Sequence, residues 1–64
     1  MHIGFIGLGN VGAKLAGSLL RNGMDLHVYD LNAEFVEGFV AKGAVAGTSA
    51  AQLMRDCDVV VTCL

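Results

Sequence analysis

Proline is absent from the 64 residues, and so is tryptophan. Without proline there is no stiff polyproline spacer, and no linker or domain boundary is legible inside the chain. Charge is scarce: four Lys or Arg and six Asp or Glu, 16% of the residues, give a formal net charge of −2. Lys14, Arg21, Lys42 and Arg55 stand apart and form no basic stripe, which argues against a nucleic-acid surface. No apolar run approaches the roughly 18 residues that a membrane span needs, and no basic segment precedes the first apolar run as a leader would require. Cysteine is limited to Cys57 and Cys63, one closing a helical pattern and one in an apolar run. They read as core thiols of a reducing compartment, not as a disulfide or metal site, so a cytoplasmic location is expected.

What the chain has in quantity is apolar surface and glycine. Hydrophobic residues make up 55%, the mean hydropathy is +0.63, and there are nine glycines. Such a composition supports a packed core and excludes disorder. A domain of this length buries only about 60% of its unfolded surface, so this much apolar content anticipates cover from further sequence. The run Asp58–Leu64 is still apolar where the sequence stops. The expectation is therefore an N-terminal portion, residues 1–64, of a longer domain.

Periodicity orders the elements. "HIGFI" (2–6) is short, apolar and bounded by glycine, as a buried strand is. From Asn10 to about Asn22, Val11, Leu15 and Leu19 recur every four residues with Ala16 and Leu20 beside them, and Gly23 supplies a helix stop. "DLHVYD" (25–30) alternates and ends on an acid. Asn32 is placed to cap a second helix that turns Phe35, Val36, Phe39 and Val40 inward, with Gly43 as terminator. "AVAG" (44–47) predicts a brief third strand. Ser49 and Gln52 form an S-x-x-Q capping box opening a third helix, and "DVVVTCL" (58–64) reads as a strand buried on both faces. The order β-α-β-α-β-α-β with short links calls for parallel strands joined by right-handed crossovers.

In that frame "GLGNVG" (7–12), a G-x-G-x-x-G run between the first strand and first helix, acquires meaning. Gly7 permits the turn out of the strand. Gly9, lacking Cβ, lets a pyrophosphate lie against the backbone, and Gly12 allows helix and sheet to pack closely. The unpaired first-turn amides around Asn10, Val11 and Gly12, with the positive end of the helix dipole, meet a diphosphate without help from lysine or arginine, and Leu8 belongs to the same cofactor-binding loop. Asp30 follows Gly12 by 18 residues and is placed to accept hydrogen bonds from the adenosine ribose. A 2′-phosphate there would face like charge, roughly 4 kcal/mol per pair at about 4 Å and an effective dielectric near 20, before salt screening. The next residue, Leu31, is no arginine to receive that phosphate, so NAD is expected over NADP. The fold expected is an α/β Rossmann-type doubly wound parallel sheet. Valine at position 11 departs from the G-x-G-x-G loop usual in methyltransferases.

Other polar residues take simpler readings. His2 and His27 are polar strand residues, Tyr29 is an aromatic on the second strand, and Glu34 and Glu37 make a solvated helix face. No catalytic or metal-ligand constellation is legible in the spacing, so no catalytic residue and no metal are assigned.

"GFIGLGNVG", "GMDLHVYDLN", "GAVAGTSAAQL" and "CDVVVTCL" together resemble the 3-hydroxyisobutyrate dehydrogenase family, β-hydroxyacid dehydrogenases related to 6-phosphogluconate dehydrogenase. The resemblance runs the whole length of the chain. Members commonly carry methionine where Val11 stands, and NADP-dependent relatives often carry Asn-Arg where this chain has Asp30-Leu31. The resemblance implies hydride transfer between NAD and the hydroxyl carbon of a small β-hydroxyacid, and a following helical domain that completes the substrate site and forms a homo-oligomer. It also implies a catalytic lysine in that domain, outside these residues, and a cofactor contact near Leu64. Two alternatives stay open: an NADP-dependent reductase of the imine or pyrroline-carboxylate type, and a non-catalytic dinucleotide-binding fragment.

Overall fold

The computed structural model describes residues 1–63, the side chains of Asn10 and Val11 excepted. Four strands and three helices alternate: β1 (His2–Ile6), α1 (Asn10–Arg21), β2 (Asp25–Tyr29), α2 (Ala33–Val40), β3 (Val45–Ala46), α3 (Ala50–Asp56) and β4 (Val59–Thr62). All pairings are parallel, and the strand order is β3-β2-β1-β4. The chain thus steps outward from β1 to β3 and then crosses back to the other side of β1. That reversal creates a switch point between β1 and β4, and in open α/β sheets ligands bind outside the carboxyl ends of the strands there. The expected α/β architecture is the observed one.

One face of the sheet holds the main core. Ile3 and Phe5 of β1 and Leu26 and Val28 of β2 pack with Ala16 of α1 and Phe39 of α2. The other face is covered by α3, whose fully buried Leu53 lies over Gly4 and Gly47. Burying each such large apolar side chain contributes about 1.5–3 kcal/mol. Glycine is required in the turns at Gly23 and Gly43, which end α1 and α2 at φ of 77° and 111°.

Three sequence expectations are corrected. Leu15 is 46% exposed although its spacing placed it inward. The small residues Gly12 and Ala16 bring α1 onto the sheet and set its rotation, leaving Leu15 roughly 80° from that contact line at 3.6 residues per turn. On α2, Phe39 is buried and Val36 half-buried, whereas Phe35 and Val40 are exposed. They flank the line through Val36 and Phe39 by about 70° on either side, too far for an eight-residue helix lying on one sheet. Finally, β4, whose apolar run reads as buried on both faces, has instead the uncovered edge and face expected of half a doubly wound sheet: among the described residues it pairs only with β1, and Val59 is 44% exposed.

The predicted caps form. Asn32 accepts from the Glu34 N–H at 3.0 Å, and Ser49 Oγ accepts from the Gln52 N–H at 3.0 Å. The reciprocal arm differs from a capping box: Gln52 Oε1 accepts from the Thr48 N–H at 3.1 Å, one residue before the cap.

Candidate functional site

At the carboxyl end of β1 the chain turns at Gly7, whose φ of 94° suits glycine and few other residues. Its N–H still donates to the Tyr29 carbonyl at 3.0 Å, so the turn grows directly from the sheet. Leu8 then drives its side chain into the core, 1% exposed, and Gly9 opens α1 with its carbonyl accepting from the Ala13 N–H at 2.7 Å. A Cβ on Gly12 would stand 2.2 Å from the Gly7 carbonyl oxygen, an impossible contact. Gly7 and Gly12 therefore have reasons internal to the fold: one makes the turn, the other lets the helix close over it.

Gly9 has no such reason. Its φ of −66° and ψ of −168° are open to any residue, and a Cβ built there meets nothing within 4 Å among the described residues. Neither backbone geometry nor packing asks for glycine, yet the residue lies on the open mouth of a helix. Helices α2 and α3 satisfy their first amides with Asn32 and Ser49; the Gly9 cap offers no side-chain acceptor, and the first turn of α1 carries no acid. Donors left unpaired among the described residues and the positive dipole end face outward beside a bare backbone, an arrangement that fits a diphosphate.

Asp30 follows β2 and reaches back to this loop. Its Oδ2 accepts from the Leu8 N–H at 2.6 Å, and its Oδ1 from the Asn32 N–H at 2.8 Å. These bonds, Leu8 first and then Asn32, hold the carboxyl below its ordinary value of 3.8 against a smaller opposing effect of desolvation. Asp30 thus ties the glycine loop to the β2–α2 turn while each oxygen keeps a further lone pair for a donor such as a sugar hydroxyl. The capping of α2 itself falls to Asn32, not to Asp30.

Two hollows border the loop. One of about 150 Å³ lies at the carboxyl ends of β1 and β2, lined by Ile6, Gly7, Tyr29, Asp30 and Leu31, with Leu31 itself 94% exposed. The larger, about 410 Å³, lies between α1 and α2 and reaches Gly9 from the outer side. The topology favours the smaller as the nucleoside end of a ligand, because it sits over the strand termini.

The loop, Asp30 and Leu31 are thus brought together around one mouth, where the sequence placed them. Leu8 borders the mouth but offers a diphosphate no free amide, since its side chain is in the core and its N–H is given to Asp30. The side chains of Asn10 and Val11, and Leu64 altogether, lie outside what the structure describes. Sequence reasoning missed the bond from Leu8 to Asp30, for which position 30 alone gave no signal. It also missed a cluster of His2, Asp25 and His27 at the opposite end of the sheet; the alternation in "DLH" and the polar start of β1 are the traces it left.

Comparison with known proteins agrees with this fold. A relative, the mitochondrial 3-hydroxyisobutyrate dehydrogenase of Drosophila melanogaster, is 41% identical over 63 residues, covering 98% of this chain and 19% of that protein. Among solved structures, a Mycobacterium tuberculosis 3-hydroxyisobutyrate dehydrogenase studied with L-serine superposes with a TM-score of 0.88 at 33% identity, over 98% of this chain and 22% of that one. An imine reductase from Pseudomonas sp. superposes with a TM-score of 0.92 at 25% identity, over the same shares of the two chains. The chain thus spans about a fifth of the length of the relatives it matches. The family model for the NAD-binding domain of 6-phosphogluconate dehydrogenase matches residues 2–64, and the chain belongs to that family.

Proposed function

We propose that this chain is the cofactor-holding part of an NAD-dependent oxidoreductase that acts on the hydroxyl carbon of a small β-hydroxyacid. The observation that carries the reading is Gly9: a glycine without an internal reason, at an uncapped helix mouth, in a loop tied to the acid that follows β2. The backbone from Gly7 to Gly12 receives the diphosphate, and Asp30 accepts from the adenosine ribose hydroxyls while holding the loop in place. Leu31 flanks the nucleoside, and the resemblance adds Leu64 as a further cofactor contact. When bound, NAD supplies a hydride acceptor; these residues bind and orient it, and the proton-transferring group belongs to a part of the protein beyond this chain. The relationship to 3-hydroxyisobutyrate dehydrogenase supports a β-hydroxyacid substrate; the homo-oligomer rests on the resemblance alone, and the cytoplasmic location on the free thiols of Cys57 and Cys63.

The preference for NAD rests on charge. A 2′-phosphate placed against the ionised Asp30 is repelled, and neighbouring Leu31 offers no compensating cation. The full-length protein is expected to bind NADH at least about tenfold more tightly than NADPH, and Asp30→Ala to narrow the gap. Equal affinities in the native protein would refute the cofactor assignment. A second reading, an imine reductase, is supported by the superposition on the Pseudomonas enzyme. Turnover of 3-hydroxyisobutyrate or L-serine, set against reduction of a cyclic imine, separates the two.

A further inference from the structure

At the amino end of the sheet, away from the glycine loop, three side chains of β1 and β2 converge. The parallel register sets His2 beside Asp25, and His27 follows Asp25 by two residues on the same strand face. One nitrogen or oxygen from each lies within 4.8 Å of the other two. The Asp25 carboxylate stands between the rings: Oδ2 meets Nδ1 of His2, and Oδ1 lies 3.2 Å from Nε2 of His27. The two imidazoles meet edge to face, with centroids 5.1 Å apart. Nε2 of His27 is sealed from solvent and makes no hydrogen bond among the described residues, because Oδ1 is close but poorly aligned with it. A buried polar atom in that state is an exception in folded proteins and asks for a missing partner.

We infer that His2, Asp25 and His27 form a binding site for a borderline divalent metal ion of the zinc class. Two imidazole nitrogens and one carboxylate oxygen suit zinc and its neighbours, whereas magnesium and calcium take oxygen donors. A tetrahedral ion with bonds of about 2.0 Å spaces its ligands about 3.3 Å apart, close to the separation between His27 and Asp25. The ion gives His27 Nε2 the partner it lacks and replaces the direct contact between His2 and Asp25. Negative charge around the site favours a cation: Asp58 accepts from the His2 backbone N–H at 2.8 Å, and its own N–H returns a bond to the His2 carbonyl at 2.9 Å. His2 and Asp25 are about half exposed, which provides an entry path and leaves a fourth position for water. The length of β1, about 13 Å from His2 to Ile6, separates this site from the glycine loop.

The test uses the full-length protein, freed of metal by chelation and titrated calorimetrically with zinc chloride. Two variants, His2→Gln and Asp25→Asn, alter half-exposed side chains and are checked for native melting. The native protein should bind one more zinc per chain than either variant, or bind it at least about tenfold more tightly. Cobalt(II) should give the visible bands of a tetrahedral nitrogen–oxygen site in the native protein and lose them in both variants. Absence of zinc binding, or identical stoichiometry and affinity in native and variant proteins, overturns the assignment. A zinc bound equally by all three belongs to another part of the protein and counts against it in the same way.

Discussion

Two glycines three residues apart should respond in opposite ways to the same added methyl group. At Gly12 a Cβ would lie 2.2 Å from the Gly7 carbonyl oxygen and 3.2 Å from its carbon. Relief requires about 1 Å of movement between α1 and the turn, since the obstacle is backbone and cannot rotate away. Overpacking of this kind costs about 1–3 kcal/mol and occasionally more. Alanine returns about 1 kcal/mol of helix propensity. With a backbone obstacle the cost falls at the upper end, so Gly12→Ala should lose about 2 kcal/mol net, lowering Tm by about 4–8 °C in a domain of 150–250 residues. At Gly9 the same methyl meets nothing among the described residues, and the loss should be confined to the about 0.5–1 kcal/mol by which alanine is the poorer N-cap. Dinucleotide affinity should divide the other way. A methyl on the open backbone holds a diphosphate off the amides, and losing one or two charge-assisted hydrogen bonds at about 1.5–3 kcal/mol each weakens binding by at least about tenfold. Thermal melting and fluorescence titration with NADH, applied to both variants of the full-length protein, read the two axes separately. The reasoning fails if Gly9→Ala binds NADH as the native protein does, or if Gly12→Ala melts at the native temperature.

Acid should act through Asp30. Its carboxyl is held below 3.8 by the Leu8 and Asn32 amides, so its stabilisation is complete above about pH 3.8 and disappears as pH falls through the lower folded value. Urea unfolding at a series of pH values should show native and Asp30→Asn stabilities differing near neutrality and converging in acid; a gap independent of pH would contradict this. Ser49→Ala removes the acceptor for the Gln52 N–H and should cost about 1 kcal/mol, read as a lower urea midpoint with unchanged slope. Leu53→Ala empties a fully buried position over Gly4 and Gly47 and should cost about 2–5 kcal/mol, whereas Met54→Ala beside it, 60% exposed, should cost under about 0.5 kcal/mol.

Much of this molecule is written in short-range terms. Glycine at positions 7, 23 and 43 is what a positive φ requires, and Asn32 and Ser49 cap helices through amides two and three residues away. Such features depend on a few neighbouring residues, so the order of elements, their turns and the glycine loop could be read from the letters alone. The alternation of strand and helix then called for parallel strands and a doubly wound sheet.

What the letters could not decide is set by contacts between distant segments. The rotation of α1 depends on how closely Gly12 and Ala16 approach the sheet, which a helical stripe does not report, and Leu15 went outward as a result. The bond from Leu8 to Asp30 spans 22 residues, and the meeting of His2 with Asp25 spans 23. Both arise from the register of two parallel strands, which the packing of Phe5, Leu26 and Val28 decides collectively and no local pattern specifies.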